Sequence, residues 1–158
     1  MMGDITRNLS RHEFKCSCCD MSEPHPVLCI SIQSIVDLSG ASSVWITGGG
    51  RCAGHNRALI KTHQAAADSK HLQDPELGNY ALAADCVFRD VPLMEIVTLA
   101  QRLPEFKEGG IGLYLDDRPG KIDRIHLDVR RSKARWGFID GGKVSFNEAV
   151  AELESRMV

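Results

Sequence analysis

The chain has 158 residues, is 43% hydrophobic and 25% charged, and carries a net charge of −2 with a pI near 6.3. That length suits one domain with its own core. The charge balance lacks the basic footprint of a nucleic-acid binder, and no apolar run approaches the ~20 residues of a membrane span.

Residues 1–26 read as an irregular N-terminal arm. Its opening, "MMGDITRNLSRHEF", lacks the apolar segment of a signal peptide, so synthesis in the cytoplasm is expected. "RHEF" can start a short helix, and "SEPHP" breaks it. Leu28, Ile32, Ile35 and Leu38 recur at helical spacing, which predicts a helix over 27–38 with one buried face. "SVWIT" (Ser43–Thr47) predicts a short strand, and "GGGR" ends it. Three glycines there allow a tight turn and close backbone approach, but the G-K-[ST] ending of a phosphate loop is missing.

Residues 53–66 read as helical or partly so, and "AADCVF" (Ala83–Phe88) as a short buried strand. Leu93, Ile96, Val97, Ala100 and Leu103 mark an amphipathic helix that starts near Pro92 and stops at Pro104. "IGLY" (Ile111–Tyr114) predicts another strand, and "LDDRPGK" a loop. In "RIHLDVR", Ile125, Leu127 and Val129 alternate with His126, Asp128 and Arg130, the pattern of a half-buried strand with one polar face. The tail "SFNEAVAELESRM" predicts a helix capped by Ser145, with Glu148 three residues on. Helices and short strands intermix without repeats, so the expected class is α+β in one small domain.

Six cysteines are many for such a chain. Cys16, Cys18 and Cys19 crowd into "FKCSCCD", and Cys16 and Cys19 have a C-x-x-C spacing that can bind metal. No clean second pair follows, so buried thiols or a local disulfide are the plainer reading. The stronger constellation is His71, Asp85 and His126, with Asp128 beside the last. Two imidazoles and a carboxylate are a common ligand set for catalytic Zn²⁺, with water in the fourth position. Asp85 sits between "ALAA" and "CVF", where a carboxylate is costly unless paired or on a metal.

These residues lie in stretches that resemble a known family. "VWITGGGRCAGHNRALIK" resembles the "ITSGYRCxxHNxxV" segment of the M15 peptidases, the zinc D-Ala-D-Ala carboxypeptidase-like group. "SKHLQ…ALAAD" resembles their S-x-H-x-x-G-x-A-x-D motif, and "GGIGLY…RIHLDVRRSKARW" their "GIGxY…FVHxDxR…RW" ending. "LSRHEFKCSCCD" resembles their opening "LSxxEFxCxCCG". The four blocks follow in family order over about residues 9–136.

The resemblance implies a small α+β zinc-peptidase fold with a short antiparallel sheet flanked by helices, shared with certain phage endolysins, D,D-dipeptidases and the hedgehog signalling domain. It implies His71, Asp85 and His126 as Zn²⁺ ligands, and Arg51 beside the site, where it stabilises negative charge on substrate. The implied substrate is a peptidoglycan stem peptide, the implied place of action the cell wall, and the expected state a monomer. A non-catalytic wall-binding or phage morphogenesis protein on the same scaffold is the alternative.

The family motif places its histidine and aspartate seven positions apart, whereas His71 and Asp85 are fourteen apart. Residues 74–80, "DPELGNY", therefore read as a surface-loop insertion beside the metal site. The motif's glycine is Ala81 here, and "SGYR" is "GGGR". Asp128, two residues after His126 on the same strand face, is the favoured general base, or else a group that orients the histidine. Asp123, three residues before, is the competing base, as in relatives with a D-x-x-H motif. His55 reads as a structural hydrogen-bonding residue, and Trp136 as core or groove lining.

Overall fold

A computed structural model describes residues 2–157. A 3-10 turn, Arg11–Phe14, precedes α1 (Pro26–Ser39), β1 (Val44–Gly48) and α2 (Ala53–Lys61). A second 3-10 turn, Pro75–Leu77, precedes β2 (Ala83–Phe88), α3 (Leu93–Ala100), α4 (Pro104–Lys107) and β3 (Gly110–Leu115). The chain closes with β4 (Arg124–Asp128), β5 (Ala134–Ile139), β6 (Gly142–Val144) and α5 (Phe146–Ser155). The fold is α+β, as the mixed periodicities predict.

The strands form one sheet in the order β1-β2-β4-β3-β5-β6. Four of its pairings are antiparallel, but β3 and β5 run parallel, so the sheet is mixed rather than purely antiparallel. The parallel pair forms because β4 returns between β2 and β3, leaving the far edge of β3 open to β5.

Side chains alternate across the sheet, so each strand feeds two different environments. Ala84, Cys86, Ile111, Leu113, Leu115, Ile125 and Leu127 are fully buried together with residues of α1, α3 and α5. Each leucine or isoleucine side chain among them contributes about 1.5–3 kcal/mol when fully removed from water. On α1 the buried face comprises Leu28, Cys29, Ile32, Ile35 and Val36, while Leu38 is 62% exposed. Helical periodicity carries Leu38 off the stripe that Leu28, Ile32, Ile35 and Val36 bury, and Gly40, at φ +72, then ends the helix in a left-handed cap.

The opposite sheet face carries Asp85 on β2, His126 and Asp128 on β4, and Trp136 on β5. It is not a solvated face: β4 is central, and His126 and Asp128 are 5% and 0% exposed. Among the described residues, no helix is long and apolar enough to cross a membrane.

Candidate metal centre

The local folding of three segments brings His71, Asp85 and His126 together. Asp85 and His126 are direct partners in the β2–β4 ladder, so their side chains stand next to each other on one face. His71 arrives on the loop before β2, pinned by the backbone. Arg51 N donates to the His71 carbonyl at 2.7 Å, and Gln73 N to the Arg51 carbonyl at 3.0 Å. The glycine run supplies the fit: Gly50 N donates to Phe14 O at 2.9 Å, and a Cβ on Gly49 would sit 2.5 Å from Phe14 Cα.

The outward hydrogen bonds fix which nitrogens carry protons. His71 Nδ1 lies 2.7 Å from the Gly49 carbonyl, which can only accept, so Nδ1 is the donor. His126 Nε2 lies 2.9 Å from Asp128 Oδ2 and donates to it. The inward atoms are then His71 Nε2, His126 Nδ1 and Asp85 Oδ1, three lone-pair atoms. They are separated by 3.2 Å, 3.1 Å and 3.7 Å. Three acceptors at such spacing repel unless a cation or proton lies among them. A tetrahedral ion bound at ~2.0–2.1 Å sets its ligands about 3.3 Å apart, which this set fits. By geometry and donor chemistry, His71, Asp85 and His126 could hold a metal ion.

The electrostatics agree. In the metal-free chain burial pushes the Asp85 carboxyl up, but the charge of His71 and hydrogen bonds from the two imidazoles, once each carries a second proton, hold it well below the ordinary carboxylate range. Burial disfavours charge on His126, yet Asp128 and Asp85 raise its pKa above the ordinary imidazole value. Both shifts mark a pocket built to keep negative charge beside the two rings.

Asp128 stands elsewhere than its expected role requires. It lies behind His126, away from the cavity, and every one of its contacts is a donor. It accepts from Gly110 N at 3.0 Å, from Arg130 N at 3.1 Å, and from the Arg130 guanidinium at 2.8 Å and 2.6 Å. Burial raises the carboxyl, but His126 and Arg130 more than offset this and leave it well below the usual range. Such a carboxylate orients the histidine; it has no lone pair free to take a proton from a cavity water. Asp123, the alternative base, accepts from Asp116 N at 2.8 Å and pairs with Arg156 at 3.3 Å, also outside the cavity.

The cavity itself has a volume of about 460 Å³, with His71, Asp85 and His126 in its wall. Arg51 joins them and donates to Ser69 Oγ at 2.7 Å. Burial draws the Arg51 pKa down against the pull of Asp85. Trp136 lies with its ring 4.8 Å from that of His126, and its indole N–H donates to Tyr114 OH at 3.1 Å. Gly112 makes this possible, because a Cβ there would overlap the indole. Lys70, Arg124, Arg130 and Lys143 make the rim basic. The motif blocks did not point to Arg124 or Lys143; their place follows from the β3–β4 and β5–β6 pairings.

A second cavity of about 380 Å³ opens on the other side of Gly48–Arg51 and shares Arg51, His71 and Asp85. The cluster of His71, Asp85 and His126 therefore sits between two recesses, with Arg51 in both. His55 lies by Cys16 and Ser17, 3.4 Å and 3.2 Å away, a hydrogen-bonding position as expected. Residues 75–80 of the expected 74–80 loop are exposed, and Asp74, Asn79 and Tyr80 line a separate groove with Ala53 and Leu82 rather than the cavity at His71, Asp85 and His126. Neither a scan against protein-family models nor a search of curated proteins returns a match to this chain.

Proposed function

We propose that this chain is a zinc-dependent metallopeptidase of the M15 type that hydrolyses peptide bonds in peptidoglycan stem peptides, at a terminal D-Ala-D-Ala bond or at an internal bond. One observation carries the reading: three lone-pair atoms of His71, Asp85 and His126 converge within 3.7 Å in the wall of an open, basic-rimmed cavity. Structural zinc sites are closed by four protein ligands, whereas three ligands beside a cavity leave a position for water. The M15-like motif blocks around all three residues point the same way.

Zn²⁺ in such a site lowers the pKa of bound water toward ~7 and polarises a carbonyl. The chain's own residues do the rest. Asp128 holds the His126 ring in one tautomer, and the Gly49 carbonyl does the same for His71. Arg51, which faces both recesses, binds the carboxylate of a stem peptide or the negative charge that develops on the scissile carbonyl. Lys70, Arg124 and Lys143 draw in an acidic peptide. Trp136 and Tyr114 give its apolar parts a wall. Proton transfer falls to a group that lines a recess; Asp68 and Glu13 are the carboxylates there besides Asp85.

The test is digestion of purified peptidoglycan fragments read by mass spectrometry. Zinc-loaded protein should release peptide or D-alanine, and His71→Ala should not. The placement of Asp123 and Asp128 outside the cavity favours a second reading, in which the scaffold binds wall peptides without cutting them. Retention of fragments on the protein, with no mass change in them, would select it.

A further inference from the structure

A second cluster lies outside the cavity. Cys16, Cys18, Cys19 and Cys52 bring their Sγ atoms within 4.8 Å of one another, although Cys52 is 33 positions after Cys19. Cys16 and Cys18 sulfurs are 3.5 Å apart, and those of Cys18 and Cys52 3.3 Å. These spacings are too long for bonded sulfurs, which lie ~2.05 Å apart. They approach the ~3.8 Å edge of a tetrahedron of thiolates around one ion at ~2.3 Å.

The surroundings supply what thiolates need. Cys52 is the N-cap of α2, and its Sγ accepts from His55 N at 3.4 Å, so it stands at the positive end of the helix. Cys16 Sγ accepts from Cys52 N at 3.4 Å and lies 3.4 Å from His55 Nδ1. Donors aimed at ligand sulfurs are the usual outer layer of a thiolate metal site. Cys16 is buried under this layer, whereas Cys18 is exposed.

We propose that these four cysteines form a structural metal site that binds one Zn²⁺ or a similar thiophilic divalent ion. It is closed, with four protein ligands, and so differs in kind from the three-ligand centre. Its position gives it a task. Cys52 directly follows Arg51, and the loop from Gly48 to Cys52 presents the Gly49 carbonyl to His71 and Arg51 to both recesses. The N-terminal arm touches this loop through the Phe14–Gly50 hydrogen bond, and the ion would fasten the two together beside it. Cys29 and Cys86, both buried elsewhere, take no part.

The experiment uses the full chain, loaded with Co²⁺ in place of the native ion. The wild type should bind two ions per chain and show a near-ultraviolet sulfur-to-cobalt charge-transfer band. His71→Ala should lose one ion and keep the band. The double variant C18S/C19S should lose one ion and the band. A second readout needs no variant. Exposed Cys18 should resist alkylation in the metal-loaded wild type and react once a chelator is added, and loss of that protection should track loss of one ion. The proposal is overturned if Cys18 is alkylated at the same rate with and without metal, if the band survives in the double variant, or if the native mass shows disulfides in place of these thiols. Failure of the peptidase reading would leave the band untouched, so the two are separable.

Discussion

At the residue scale, two members of the candidate site carry a local sign: Asp85, a carboxylate inside a small-residue strand, and His126, a histidine in strand alternation; His71 lies in a loop and is marked by its motif block alone. The role of Asp128 was not. Alternation places it on the face of His126, but only the folded ladder shows that Gly110 and Arg130 saturate it. This predicts that Asp128→Asn weakens zinc binding about 10–100-fold, the usual effect of losing an outer-layer partner, measured by competition with a chromophoric chelator. Asp123→Asn should leave zinc affinity unchanged in the same assay. A second consequence concerns pH. His126 must be neutral to bind metal, and its pKa is raised in the metal-free chain. Zinc affinity should therefore fall as pH drops through that raised value, above the ordinary ~6.5, rather than below it. For the metal-free fold the sign is opposite. The ion pair of His126 with its carboxylates stabilises below the ordinary histidine pKa, and that contribution is lost as pH rises through the raised one. Urea midpoints of metal-free and zinc-loaded protein across pH 5–9 should show these opposing trends.

At the element scale, the antiparallel sheet is what the resemblance implies, and the residues themselves do not announce β5 or β6, whose neighbour β3 supplies the parallel pairing. In "ARWGFI", Arg135, Gly137 and Ile139 blur the alternation of Ala134, Trp136 and Phe138. One signal was available: Asp140 and Gly141, both at positive φ, form the turn between β5 and β6, an Asp-Gly pair of the kind that favours tight hairpins. The parallel β3–β5 partnership has no local signature, because β4 and its flanking loops intervene. The register places Gly112 opposite both His126 and Trp136. Gly112→Ala should therefore cost about 1–3 kcal/mol of stability through overpacking and shift the emission of Trp136, read against a W45F background. The loop at 74–80 makes the opposite case. Asp74 and Asn79 exchange backbone hydrogen bonds at 2.7 Å and 2.8 Å, closing Pro75–Gly78 outside the fold. Replacing Pro75–Gly78 by Asn-Gly keeps that closure as a two-residue turn. Zinc content and melting temperature should then match the parent; a loss of either would show that the loop supports the centre.

At the scale of the whole molecule, one sheet divides the labour. Its helix-covered face holds the core, and its other face holds a row of polar and aromatic residues around His126. The fold class was legible because periodicity survives averaging along the chain. Cavity shape, the basic rim and the four-cysteine cluster were not, since each joins residues far apart in sequence. In the proposed function, His71, Asp85 and His126 hold one metal ion independently of the cysteines. Zinc binding to the C18S/C19S double variant, compared with the same chain carrying His71→Ala in addition, measures that ion alone. One zinc per chain is expected in the double variant and none in the triple, with both chains giving the same far-ultraviolet circular dichroism. Equal zinc in the two folded chains, or none in the double variant while single His71→Ala keeps the wild-type content, would contradict it.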